Sequence, residues 1–459
     1  MGLLAAVAPA AAQPAAAVWE SLGTFPLRPK TRAYSVAFLP AEGAAATDPA
    51  RDDLFLFSSY GIFRYAPGRD NGEWGNWREL CGANACSDGR SIVTRDGVIV
   101  SVQIFGIVRS ITRGNTWESV TGGFGGDDVF ESTLPGLEGV LFAAGPDVLR
   151  STARGARDTW QRLGPTGGNP AEMIREVPRS PMLPRGRLVM GVWNGITYSD
   201  DGGVSWQRSS AYGSGAYIGF SLSFAPVPGH PYGGTLYAGL GDLQYHPGSF
   251  GTVARSDDGA ATWEIMHRFD PAAWGMNTVS KVQVLATVDG ALWAGLSDGS
   301  TGQGPDGFQL GAVVRSTDGG RTWAAGGTGY GGGGVFRLSL SRTGALYAAS
   351  GRGVWRTTGP AAVVAGETGP ESAEGFGVAV RPNPASSRVD VVLSLAEAQD
   401  VRVVAVDALG REVAVVLSGP VAAGERAVPI DTSAWPVGVY VVQVVAGERT
   451  ASARLVVAR

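Results

Sequence analysis

Between residue 18 and about residue 360 the chain alternates short apolar runs with polar, glycine-bearing octets. One unit shows the pattern. The run Gly191-Val192-Trp193-Asn194-Gly195-Ile196-Thr197-Tyr198 is followed by Ser199-Asp200-Asp201-Gly202-Gly203-Val204-Ser205-Trp206. The octets Ser256 to Trp263, with Asp258 and Thr262, and Ser316 to Trp323, with Asp318, Gly320 and Thr322, repeat it. Weaker copies run from Ser110 to Trp117, from Ser151 to Trp160 and from Arg64 to Trp77. The apolar runs predict strands. The octets predict hairpins: the Asp accepts turn N–H groups, the Gly takes a positive φ and the hydroxyls bond nearby backbone. The Trp then opens the next strand and packs between sheets. Ser199, Asp201, Gly203, Trp206, Ser256, Asp258, Trp263, Ser316, Asp318, Gly320 and Trp323 are therefore read as structural, and their aspartates as non-catalytic.

The closing Trp residues stand at 77, 117, 160, 206, 263 and 323, spacings that suit one four-stranded unit per repeat. A seventh unit, from Ala345 to Gly359, stops before its Trp strand. Val18-Trp19-Glu20-Ser21-Leu22-Gly23 looks like that missing strand, since it matches the piece Trp117-Glu118-Ser119-Val120 that follows an octet. The expectation is seven units in a ring, closed by the N-terminal strand so that no sheet edge stays open.

The pattern then changes. Residues 361–374 are rich in Ala, Gly, Glu and Pro and read as a linker. Residues 375–459 carry 22 valines in 85 positions, with alternating strands at Val389 to Leu395, Val401 to Val406, Val439 to Val445 and Ala453 to Val457. This predicts a small Ig-like antiparallel β-sandwich. At the other end, residues 1–17 hold an apolar, Ala-rich run with an Ala-x-Ala site at Ala10 to Ala12. They are expected to be the remnant of a secretory signal, with the true start upstream because no positive n-region precedes the run. The predicted class is thus all-β: a propeller over 18–360, then a sandwich over 375–459.

The octets resemble the Asp-box, or BNR repeat, Ser-x-Asp-x-Gly-x-Thr-Trp. That repeat is shared by sialidases, sortilin-type receptors, xyloglucan-cleaving enzymes and a plant photosystem assembly factor, and the resemblance implies a β-propeller. It implies no activity. The sialidase arginine triad, Tyr/Glu nucleophile pair and Phe/Tyr-Arg-Ile-Pro motif are not found, and Pro26-Leu27-Arg28-Pro29 is no substitute. Xyloglucan-cleaving relatives usually pair two propellers around a cleft. The C-terminal region closely resembles the type A sorting domain of the type IX secretion system. The matching pieces are Arg381-Pro382-Asn383-Pro384-Ala385, Asp407-Ala408-Leu409-Gly410-Arg411-Glu412-Val413, Asp431 to Tyr440, and the terminal Arg454 to Arg459. This implies the secretion machinery as a partner and passage through the outer membrane of a bacterium of the Bacteroidota or a relative. Removal of the domain and surface attachment or release would follow.

Composition narrows the classes further. Glycine accounts for 69 of 459 residues, which disfavours long helices. The net charge of -4 leaves no basic excess for nucleic acid. No uninterrupted apolar run of 18 residues predicts a spanning helix. Cys81 and Cys86 are too few for a metal site and too widely spaced for a thioredoxin-like pair, so a loop disulfide is expected. No cofactor is expected; Asp- and Gly-rich loops suit Ca²⁺, but no dedicated motif supports it. A monomer is expected.

In a propeller the loops after each second strand and between sheets open opposite the octet hairpins. Two such loops are enlarged: Gly239 to Gly251, with Asp242, Gln244, Tyr245 and His246, and Gly295 to Gly311, with Asp298, Asp306 and Gln309. Nearby connections add Tyr212, Tyr217, Asp270, Trp274 and Tyr330. Acids beside aromatics suit a sugar, whose hydroxyls bond carboxylates while its faces stack on rings. The first expectation is a binding face for a glycan or protein. Asp242, Asp298 and Asp306 are the candidate acids if the protein is instead a glycosidase. A structural or adhesin platform is a third reading. Asp127-Asp128 and Asp52-Asp53 are read as turn-solvating acids.

Overall fold

The computed structural model describes residues 17–22, 32–40, 52–67, 76–82, 86, 90–103, 105–163, 170–210, 217–227, 230–242, 250–287, 291–298, 308–341, 343–358, 376–381, 385–395, 397–407, 412–436, 438–446 and 449–457. Their regular structure is almost wholly β. The first strands of seven successive sheets are Ala33–Leu39, Arg90–Val93, Asp128–Glu131, Ala171–Val177, Tyr217–Pro226, Lys281–Ala286 and Val335–Leu340. We number the sheets 1 to 7 in that order. Each is a four-stranded antiparallel unit, and a single parallel bridge, Gly195 to Ile218, links sheets 4 and 5. Each first strand packs on the next, and Ala33–Leu39 packs on Val335–Leu340. The ring is closed, and the first strands line a central channel, which is a β-propeller.

Burial follows this radial order. Ala33–Leu39 is mostly buried, whereas the fourth strand of sheet 4, Gln207–Arg208, is exposed. The apolar clusters lie between sheets; Val100 and Val102 of sheet 2 pack with Val129 and Leu141 of sheet 3. Sheets 4 and 5 meet at Gly191 and Gly219, where a Cβ on Gly191 would stand 2.2 Å from the Gly219 carbonyl oxygen. Only glycine permits that approach.

The strand that completes sheet 7 comes from the N-terminal end. Trp19–Ser21 pairs antiparallel with Gly353–Thr357, Trp19 opposite Thr357 and Ser21 opposite Trp355. The Trp19 indole N–H donates to the Gly326 carbonyl at 2.9 Å, its backbone N–H to Thr328 at 2.8 Å, and Glu20 pairs with Arg356 at 2.5 Å.

The repeat hairpins are held mostly by bonds spanning no more than five residues; the longer one from Ser151 to Trp160 adds a hydroxyl–hydroxyl bond between Ser151 and Thr159. In five of them the Ser hydroxyl oxygen accepts the N–H of the fourth residue on: Gly114, Gly155, Gly203, Ala260 and Gly320, at 2.8–3.1 Å. Ala260 takes the φ of +76° that glycine takes elsewhere. Burial opposes the Asp318 charge. The Thr322 hydroxyl and N–H, the Ser316 hydroxyl and the Arg321 N–H outweigh it and hold the carboxyl down to about 2. Trp323 donates back to Gly320 at 3.0 Å. Cys81 and Cys86 form a disulfide.

The C-terminal residues form two sheets. Phe376–Arg381, Arg388–Leu395 and Gly424–Asp431 make one, and Gln399–Asp407, Glu412–Val421, Gly438–Ala446 and Arg449–Val457 the other. Alternate residues Val389, Val391 and Leu393 of the first pack with Val403, Val442 and Leu455 of the second in one core, the arrangement of a sandwich.

Candidate functional site

The antiparallel order fixes two faces. First strands start, and second strands end, on one face; the repeat hairpins, joining third and fourth strands, lie on the other. The channel mouth on the first face gathers charge. Arg90 and Lys281 begin their strands, Glu172 is second in its strand, and Asp127 immediately precedes its own. Arg90 donates to the Glu172 carbonyl at 3.2 Å. The Lys281 ammonium stands 4.8 Å from the Phe220 ring centroid. Enclosure by the mouth, then the charge of Glu172, raise the Asp127 carboxyl to about 6, while Arg90 and Lys281 oppose the rise. Asp127 still keeps an open side to solvent. Burial lowers the Lys281 ammonium, with Glu172 and Asp127 opposing.

Hairpins between second and third strands rim the same face with aromatics: Phe105 (79% exposed), Trp193 (45%) and, just before a third strand, Phe250 (47%). Trp193 also reaches the charged mouth, donating its indole N–H to Glu172 Oε1 at 2.8 Å.

Deeper in the channel, fully buried Asp128 accepts Arg175 of sheet 4 at 2.5 Å and Arg337 of sheet 7 at 2.9 Å. Burial alone would raise its carboxyl, but the two guanidinium groups and Arg90 hold it below the usual range. The expectation that Asp127 and Asp128 merely solvate a turn is therefore corrected: both belong to the channel.

The residues singled out in the sequence fall differently. Tyr212, Tyr245, His246 and Asp306 lie outside the described residues, and of Asp242 and Tyr217 the backbone alone is described. Asp298 is 1% exposed; Thr278 Oγ1 and the Asn277 N–H donate to its carboxylate. It anchors the connection between sheets 5 and 6 rather than facing a ligand. Tyr330 packs against Trp19 and Trp355 and donates to the Gly333 carbonyl at 2.7 Å, so it belongs to the closure of sheet 7. Trp274 ends a 3-10 turn, Pro271–Trp274, capped by Asp270, and packs partly into the core of sheet 6. Among the described residues no three His, Cys, Asp or Glu cluster as a metal site, and no helix is long and apolar enough to cross a membrane.

The sequence reading missed Arg90, Glu172, Arg175, Lys281 and Arg337. Arg337 has one signal, an isolated charge within the apolar first strand Val335-Phe336-Arg337-Leu338, whereas Ala171–Val177 carries three charges and gives no such mark. An isolated charge at a buried position requires a partner.

Residues 379–458 match the family described as the secretion system C-terminal sorting domain. No curated protein sequence matches the chain. Among solved structures, a streptogramin B lyase is similar with 12% identity and a TM-score of 0.46, over 74% of this chain and 96% of that one. An ancestral GH74 enzyme has 12% identity and a TM-score of 0.37, over 96% of this chain and 64% of its own. The extracellular domain of a hybrid two-component system from B. thetaiotaomicron has 11% identity and a TM-score of 0.33, over 88% and 66%. The sorting domain marks the chain for export by the type IX secretion system to the outer-membrane surface or the extracellular space, and the part it delivers is a β-propeller.

Proposed function

We propose that the propeller binds a glycan on the face opposite the repeat hairpins, at the charged mouth of its channel. The carrying observation is Trp193, half open to solvent and hydrogen-bonded to Glu172. An exposed indole offers a stacking surface for a sugar ring, and the adjoining carboxylates and cations suit its hydroxyls. Phe105 and Phe250 extend the aromatic rim, while Asp127, Arg90 and Lys281 supply acceptors and donors. The repeat hairpins, read as Asp-boxes, are the scaffold. A glycan array probed with the full chain should show discrete hits. Trp193→Ala should weaken them about tenfold, a value typical of a lost aromatic anchor. Hits unchanged by Trp193→Ala and by Glu172→Gln together would reject this face.

A second reading has its own support. A carboxyl held near pKa 6 beside another carboxylate suits general acid catalysis of glycoside cleavage. On this reading turnover of chromogenic glycosides needs protonated Asp127, so it declines as pH rises through about 6 and is lost in Asp127→Asn. Binding without turnover at any pH would leave the glycan-binding reading alone.

A further inference from the structure

At the other end of the channel, toward the repeat-hairpin face, lies a cavity of about 410 Å³ bounded by residues of the first strands of sheets 3 to 7. We propose that it is a second binding site, for a small carboxylate carrying an apolar body, with the carboxylate on Arg175 and Arg337.

The walls divide by chemistry. Phe130, Met173, Phe224 and Leu338 supply apolar surface. Arg175 and Arg337 line the same space, whereas Asp128 sits behind the wall, fully buried. Each guanidinium spends only Nη1 on acceptors among the described residues: Arg175 on Asp128 and the Ile174 carbonyl, Arg337 on Asp128. The Nε and Nη2 donors of both remain. Their side chains keep 21% and 15% of their surface exposed, and both line the cavity. Arginine forks match a carboxylate through two parallel bonds, and such bonds strengthen in an enclosed site.

One acid lines the cavity, Glu176. Its oxygens are already engaged by the Ser132 hydroxyl and by the N–H and hydroxyl of Thr133. It is thus engaged by the loop that follows the first strand of sheet 3. The cavity is mixed, with Ser221, Ser223, Gln283 and Ser339 beside the apolar side chains; a concave space of several hundred cubic ångströms with convergent polar groups is a common form of small-molecule site. The volume suits one ring with a short acidic arm, not a chain of sugars.

Calorimetric titration of the full chain tests this, with phenylacetate as probe. Phenylacetate should bind, and phenylacetamide, which lacks the charge, should bind at least about tenfold more weakly. Arg175→Gln should cost a similar factor. Should that variant fail to fold, Ser339→Trp decides, because it fills the cavity and leaves every charge in place. It should abolish phenylacetate binding while circular dichroism stays unchanged. Trp193→Ala, at the opposite mouth, should leave phenylacetate binding intact, which separates this site from the glycan face. The proposal is overturned if wild type gives no heat up to ~10 mM phenylacetate, if the amide binds equally, or if Ser339→Trp binds normally. Tighter binding of glucuronate than of phenylacetate would overturn the apolar body.

Discussion

Asp127 and Asp128 are adjacent, yet the first is raised toward neutrality and the second held ionised. Burial opposes the charge of both; at Asp127 a second carboxylate, Glu172, adds to it, whereas at Asp128 the guanidinium groups outweigh it. Asp318 is a contrasting case, because Ser316, Arg321 and Thr322, the residues that hold it, lie within four positions. Its role was legible in the sequence for that reason, whereas Asp128 and Arg337 are 209 residues apart. Asp318→Ala should destabilise the propeller by about 1 kcal/mol at pH 7, because solvent tempers the loss of hydrogen bonds at an exposed carboxylate. The carboxyl is lowered on folding, from 3.8 to about 2. Its stabilisation is therefore present above the unfolded value and lost as pH falls through the folded one. Urea titrations should show the gap between wild type and variant narrowing from pH 4 toward pH 2.

Among elements, the three-residue strand Trp19–Ser21 has the largest consequence for its length. It supplies the outer strand of sheet 7 and joins the two ends of the ring. Its Trp is 3% exposed, whereas Glu20 and Arg356 form an open surface pair. Trp19→Ala should cost about 3–5 kcal/mol and Glu20→Ala under ~1 kcal/mol, read as a large and a small drop in Tm. Equal drops would deny the strand its closing role. The strand was legible because it repeats a piece found after an octet. In the sandwich, the strands facing the core showed as alternation, as in Arg388–Leu395. Glu412–Val421 did not, because it is an edge strand apolar on both faces: Ala414, Val416 and Leu417 pack partly on the core while Val413 and Val415 are exposed.

For the whole molecule, a ring of sheets and a separately cored sandwich divide the work of function and delivery. The propeller clusters contain no sandwich residues, and the sandwich has its own core. A chain ending before Phe376 should therefore fold yet fail to reach the cell surface. Fractionation of cells and tryptophan fluorescence of the truncated protein check both halves of that statement. Surface delivery unaffected by the truncation would refute the address role of residues 379–458.

The sequence by itself determined the repeat, the local chemistry of its hairpins, the strand that closes the ring and the sorting sandwich. Each is written in contacts a few residues long or in a periodicity that recurs. Tertiary structure alone decided which charges meet. Arg90, Asp127, Glu172 and Lys281 come from four different sheets, and Asp128, Arg175 and Arg337 from three. They converge because the ring turns the first strands of all seven sheets toward one axis. A single sequence carries no local mark of that axis.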